Sequence, residues 1–210
     1  MKNSKRMSTL RTFWKENFKK NFKSSVEFDL VTLAFSMEAL RTPEYLAVSK
    51  LGRVPALVEG DVMMIESGAI AQYLCETYDD GTLHRPPGHK ERNEWLQWIH
   101  YAETIAVHGA ALVQQKVFIK PDERSPVVQK LESRRLFKAL EVIDQHLDGR
   151  DYLLKSGFSA ADVNVGYGAH LAQELIELAG LERLADWYAR LSARPAFQKA
   201  NEPSPLAEHS

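Results

Sequence analysis

The stretch Leu51-Gly52-Arg53-Val54-Pro55-Ala56-Leu57-Val58-Glu59-Gly60-Asp61-Val62-Met63-Met64-Ile65-Glu66-Ser67-Gly68-Ala69-Ile70 decides the fold of this chain. Val54–Val58 and Val62–Ile65 are short apolar runs separated by Glu59-Gly60-Asp61, a hairpin pattern. Pro55 has no N–H to give to a ladder, which suits a strand edge. A cis Val54-Pro55 bond would direct the Val54 N–H and C=O outward. A trans bond would make Pro55 an ordinary strand start, and the dipeptide alone leaves both open. Ser67 then reads as the N-cap of a helix over Ser67–Tyr78, whose Ile70, Leu74, Thr77 and Tyr78 share a face. The amides of Ser67 and Gly68 lie where the helix dipole favours an anion. Glu66 beside them suits an ammonium group. An α-amino acid moiety would be held at both ends, although a plain helix cap explains Ser67 equally well.

Upstream, Val26–Leu33 is rich in Val, Leu and Phe and reads as a strand. Pro43–Lys50 reads as a short helix with Thr42 as its N-cap and Pro43 at its first position. Downstream, Asp79–His89 breaks the pattern with Gly81, Pro86, Pro87 and Gly88 and is the candidate linker. Beyond it Lys90–Ile119, Val127–Leu147, Ala160–Ala179 and Leu181–Ala193 carry helical periodicity, and strand signals cease. An α/β front half therefore precedes an all-helical rear half.

Composition bounds the function. At 210 residues, 44% hydrophobic and 26% charged, the chain is ordinary for one globular domain or two small ones. No apolar run approaches the roughly 20 residues of a membrane span, and the basic N-terminus lacks the apolar core of a secretory signal. A lone cysteine, Cys75, excludes an internal disulfide framework and fits a reducing, cytoplasmic setting. The seven His are scattered, with no metal-ligand spacing. Residues 1–23 carry eight Lys/Arg against Glu16, a net +7, so the remainder of a chain of net charge -1 carries -8. That acidic bulk argues against nucleic-acid binding.

Taken together, Pro43-Glu44-Tyr45-Leu46, Gly52-Arg53-Val54-Pro55-Ala56-Leu57, Ile65-Glu66-Ser67-Gly68-Ala69-Ile70 and Tyr73-Leu74 resemble the cytosolic glutathione transferase family. The rear half resembles it too. Tyr152-Leu153-Leu154 with Phe158-Ser159-Ala160-Ala161-Asp162 is similar to the family's sixth-helix signature, and Arg190-Leu191 with Arg194-Pro195-Ala196-Phe197 to its C-terminal ending. Trp98-Ile99-His100-Tyr101-Ala102-Glu103 resembles a bacterial and fungal subset. The likeness runs from about Val26 to Ala200. Ser159 and Asp162 also form an Asp variant of the capping box, so Asp162 is expected to be structural.

The resemblance implies an α/β thioredoxin-like N-terminal domain over residues 1–80, a linker over 81–89 and an all-α C-terminal helical domain over 90–210. It implies that Val54 pairs with the cysteinyl backbone of glutathione, that Glu66 and Ser67 bind its γ-glutamyl end, and that Arg53 lies near its glycyl carboxylate. Glu103 would reach the ligand's amino group from the partner of a homodimer, or is a solvated helix-face acid. Glutathione is then a co-substrate, with no metal, and its partner is a small hydrophobic electrophile. Tyr101, His108 and Phe118 would line that electrophile's pocket or belong to the core.

The head departs from the family. The family opens with an apolar strand, then a Ser, Tyr or Cys whose hydrogen bond favours the glutathione thiolate. Met7–Thr12 is a poor apolar strand, and the stretch near residues 8–14 offers hydroxyls but no Tyr or Cys. Thr12 and Ser8 are the candidate catalytic donors, or ordinary surface hydroxyls. Phe13, Trp14, Phe18 and Phe22 alternate with Lys15, Lys19, Lys20 and Lys23 at helical spacing. An amphipathic first helix is the favoured reading. A basic segment touching a membrane or a partner is the rival. Two other functions stay open: a glutathione-binding or protein-interaction module without transferase activity, and a glutathione-dependent oxidoreductase, which would want a reactive Cys at the first helix.

Overall fold

In a computed structural model of the chain, residues 28–34, 36, 38–79 and 81–201 are described. They fall into two compact units. One runs to His84 and takes in the segment from Ser192; the other is Arg85–Leu191.

In the first unit, helix α1 spans Pro43–Val48. The Thr42 hydroxyl accepts from the Tyr45 N–H at 3.2 Å and Pro43 fills the first position, so both start signals in the sequence act as expected. Strands β1, Ala56–Glu59, and β2, Val62–Ile65, pair antiparallel from Ala56↔Ile65 to Glu59↔Val62. The connection is two residues, Gly60-Asp61. Gly60 has φ 56° while Asp61 stays at negative φ, the combination a type II′ turn requires. Glu59, expected in the turn, belongs to β1 and accepts from the Tyr73 hydroxyl at 2.9 Å. Tyr73 sits on helix α2, Ser67–Tyr78, so this bond ties α2 back to the hairpin. Ile70, Ala71 and Cys75 form the buried face of α2, which makes Cys75 a core thiol.

The strand expected over Val26–Leu33 is not formed in its described part: Phe28–Ala34 is irregular. β-branched and aromatic composition favours a strand only where a ladder partner exists. Among the described residues this run has none, and Val31 is 75% exposed.

The second unit is helical. Helices α3, Arg92–Val113, α4, Pro126–His146, α5, Ala160–Ala172, and α6, Glu182–Ser192, are its long elements. A short helix α7, Pro195–Ala200, follows and belongs with the first unit. The periodicity through Ile119 is real, but after Val113 the helix widens into a π turn, Gln114–Phe118. The Arg124 guanidinium donates to the Lys116 and Ile119 carbonyls at 2.8 and 3.0 Å, satisfying groups the widened turn releases. Likewise α5 stops at Ala172 rather than Ala179. The Leu175 carbonyl beyond it accepts from Lys116 instead of from a further helical turn.

Helix α5 is buried almost all round, the signature of a core helix. A Cβ on its Gly168 would stand 2.8 Å from Ile105 Cγ2, so the glycine is what lets α3 approach. Ser159 and Asp162 form the expected capping box at its start. The fully buried Asp162 carboxylate accepts from the Ser159 N–H (2.9 Å), the Leu153 N–H (2.9 Å) and Trp187 Nε1 (3.0 Å). Burial pushes its carboxyl above the ordinary range, against the pull of those donors. Its role is structural. Among the described residues no helix is long and apolar enough to cross a membrane.

Candidate functional site

The β1–β2 ladder ends at Ala56↔Ile65. Continuing that register sets Pro55 beside Glu66 and Val54 beside Ser67. The hairpin thus delivers the Val54 loop and the start of α2 to one end of the sheet. Three of the residues singled out from sequence meet there, with Arg53 one residue further along the loop.

The Val54-Pro55 bond is cis. Val54 lies outside the ladder, and among the described residues its N–H and C=O make no hydrogen bond. An N–H and a C=O on one residue are what an added peptide strand needs.

Ser67 is not the N-cap. The Ile70 N–H donates to the Glu66 C=O at 2.9 Å, so Glu66 caps and Ser67 is the first helical residue. The strand runs to Ile65, leaving Glu66 alone to turn the chain into the helix. It does so at φ 72°, ψ 111°, as the single non-glycine residue at positive φ among the described residues. Such a conformation costs on the order of 1–3 kcal/mol and persists only where surroundings impose it. The Glu66 carboxylate makes no cap bond and is exposed. The amides of Ser67, Gly68 and Ala69 precede the first intrahelical donor and have no acceptor in the helix. Three N–H groups at a helix start suit an anion, and the exposed Glu66 carboxylate beside them, without a partner among the described residues, suits a cation.

Two residues that sequence reasoning did not single out build the approach to this site. Ser49, fully buried just after α1, and Tyr45, on α1, both hydrogen-bond the Arg53 backbone. The one sequence signal for them is their spacing from Gly52. At φ 60° Gly52 carries the chain through a position where a Cβ would meet the Leu40 carbonyl oxygen. The Arg53 side chain is exposed.

Glu103 is an exposed residue of α3, in the other unit. Tyr101 and His108 are engaged within that unit: the Tyr101 hydroxyl donates to the Ala139 carbonyl at 3.0 Å, and His108 Nδ1 lies 2.7 Å from Glu132 Oε2. Both bonds tie α3 to α4. Phe118 ends the π turn, half exposed. Thr12 and Ser8 lie outside the described residues, as does the basic aromatic segment around them.

The family model for the glutathione S-transferase N-terminal domain matches residues 25–86. The chain is 30% identical over 192 residues to a probable glutathione S-transferase, GSTF2, of Oryza sativa subsp. japonica, covering 84% of this chain and 85% of the rice protein. It is 26% identical to glutathione S-transferase 3 of Zea mays, covering 86% and 85%. Among solved structures, a glutathione S-transferase from Xylella fastidiosa superposes with a TM-score of 0.79 at 24% identity, covering 92% of this chain and 93% of that one. The transferase URE2P6 of Phanerochaete chrysosporium, solved with oxidized glutathione, gives 0.79 at 23% identity, covering 93% and 90%. The shared fold is a thioredoxin-like N-terminal domain, here with a small two-stranded sheet, and a mostly helical C-terminal part.

Proposed function

The chain belongs to the glutathione S-transferase family, and we propose that it transfers the thiolate of glutathione to small hydrophobic electrophiles. The observation that carries the reading is the convergence at one hairpin end of the Val54 N–H and C=O, three open helix amides and the Glu66 carboxylate, none of them paired among the described residues. Glutathione matches each group. Its γ-glutamyl carboxylate goes to the Ser67 and Gly68 amides and the Ser67 hydroxyl. Its ammonium goes to Glu66. Its cysteinyl N–H and C=O pair with Val54, and its glycyl carboxylate lies towards Arg53. Glu103 would complete the ammonium site from a second subunit of a homodimer.

These groups hold the tripeptide and leave its sulfur free. Activation falls to an N-terminal hydroxyl, Thr12 or Ser8, donating to the sulfur. Such a bond stabilises thiolate over thiol and makes the nucleophile available at neutral pH. With both reactants held, proximity supplies much of the acceleration.

Calorimetric binding of glutathione, set beside turnover of a chloronitrobenzene, tests the reading. Binding with measurable turnover is expected. Ser67→Ala should weaken binding by about tenfold, and loss of the sulfur's donor should lower kcat by about 100-fold. Binding without turnover across several electrophiles would replace the transferase by a glutathione-binding module. No binding by the unaltered chain, or no effect of Ser67→Ala, would remove the site.

A further inference from the structure

The Arg53 carbonyl takes two hydroxyl donors from one short stretch. Tyr45 Oη donates to it at 2.7 Å and Ser49 Oγ at 2.9 Å. Ser49 Oγ also accepts from the Arg53 N–H at 3.1 Å, so a single buried hydroxyl clasps both backbone groups of one residue. The Gly52 N–H donates to the Ser49 C=O at 2.7 Å and closes the turn between them. Arg53 is exposed as a residue, but both of its backbone bonds to Ser49 are part-buried. Two hydroxyl donors on one carbonyl fix its direction.

That direction matters because a peptide unit is planar. The Arg53 C=O and the Val54 N–H belong to the same trans unit, so they point opposite ways across one plane. Anchoring the carbonyl against α1 aims the amide away from α1. We propose that Tyr45 and Ser49 are positioning residues that aim the Val54 N–H at the cysteinyl carbonyl of bound glutathione. The proposal rests on the glutathione reading of the site. It assigns Tyr45 and Ser49 a part in peptide recognition that acts through the Arg53 carbonyl both hydroxyls hold. Pre-aimed donors bind more tightly because no ordering remains to be done on association.

Tyr45→Phe and Ser49→Ala, with Ser67→Ala as the direct-contact reference, test it in the full chain. Each of the first two is expected to weaken calorimetric glutathione binding by about three- to tenfold. In turnover, KM for glutathione should rise by the same factor while kcat and KM for the electrophile hold. A merely structural loss would move all of these together. The double variant should lose less than the product of the single effects, since both hydroxyls orient one peptide plane. Ser49 is buried and its alanine variant can fail to fold; Tyr45→Phe removes only a hydroxyl at a half-buried position and decides the matter alone. Wild-type-like binding by Tyr45→Phe, with Ser67→Ala weakened, overturns the positioning role and leaves the site standing. Absence of glutathione binding by the unaltered chain overturns the glutathione reading, and this role with it.

Discussion

Glu66 is where the site's conformational cost concentrates. A glutamate at φ 72° is strained, and glycine, which lacks a Cβ, would take a positive φ at lower cost. Its carboxylate does not cap the helix that it starts. A strained residue whose carboxylate makes no cap bond suits the ligand contact proposed for it. Glu66→Gly should therefore separate stability from function. Relief of part of a backbone cost of roughly 1–3 kcal/mol should exceed the roughly 0.5–1 kcal/mol that glycine adds to unfolded-chain entropy, so urea unfolding should shift to higher denaturant. Glutathione affinity should drop about tenfold as the ammonium loses its partner. Earlier unfolding of the variant would show that the surroundings need this side chain. The charge was legible in the sequence; the strain was not. Glu66-Ser67 signalled a helix start, but which of the two caps depends on where the β2 ladder ends.

Among the elements, local signals were faithful where a few neighbouring residues close the geometry. Thr42-Pro43 starts α1, Gly60 turns the hairpin, and Ser159 with Asp162 caps α5. They failed where a distant partner decides. Phe28–Ala34 has strand composition without a ladder, and the periodicity past Ala172 is broken by Lys116 reaching the Leu175 carbonyl from another helix terminus. Ser49 and Tyr45 escaped notice because their acceptor is backbone, and backbone direction after a turn is not written in side-chain pattern.

The α3–α4 pair shows how such ties respond to pH. His108 beside Glu132, helped by Arg135, holds the Glu132 carboxyl below its ordinary value of 4.5. A carboxyl lowered in the folded state contributes stability that is complete above its unfolded value and is lost as pH falls through its folded value. Unfolding free energy measured from pH 6 downward should then fall below about pH 4.5, and His108→Leu should flatten that acid limb. An unchanged slope in the variant would show that the pair contributes nothing to stability.

For the whole molecule, the division into an α/β front and a helical rear followed from where strand signals stop, and the family from motifs spread over both halves. Subunit number is a separate matter. The family resemblance calls for a homodimer. Light scattering at micromolar concentration should give a mass near twice 23.8 kDa. A single-chain mass would remove the homodimer and, with it, the role proposed for Glu103.

By itself the sequence determined the hairpin, the helices, the order of α/β and helical parts, and the residue types that could hold a γ-glutamyl peptide. Those depend on turn chemistry, caps and periodicity, which act over a few residues. Tertiary structure alone decided that Glu66 and not Ser67 turns the chain, that Val54 and the α2 amides emerge at one sheet end with no partner among the described residues, and that Tyr45 and Ser49 grip the Arg53 carbonyl. Each of these is a direction of a backbone group. Direction is set by ladder register and peptide planarity, once elements distant in sequence have packed.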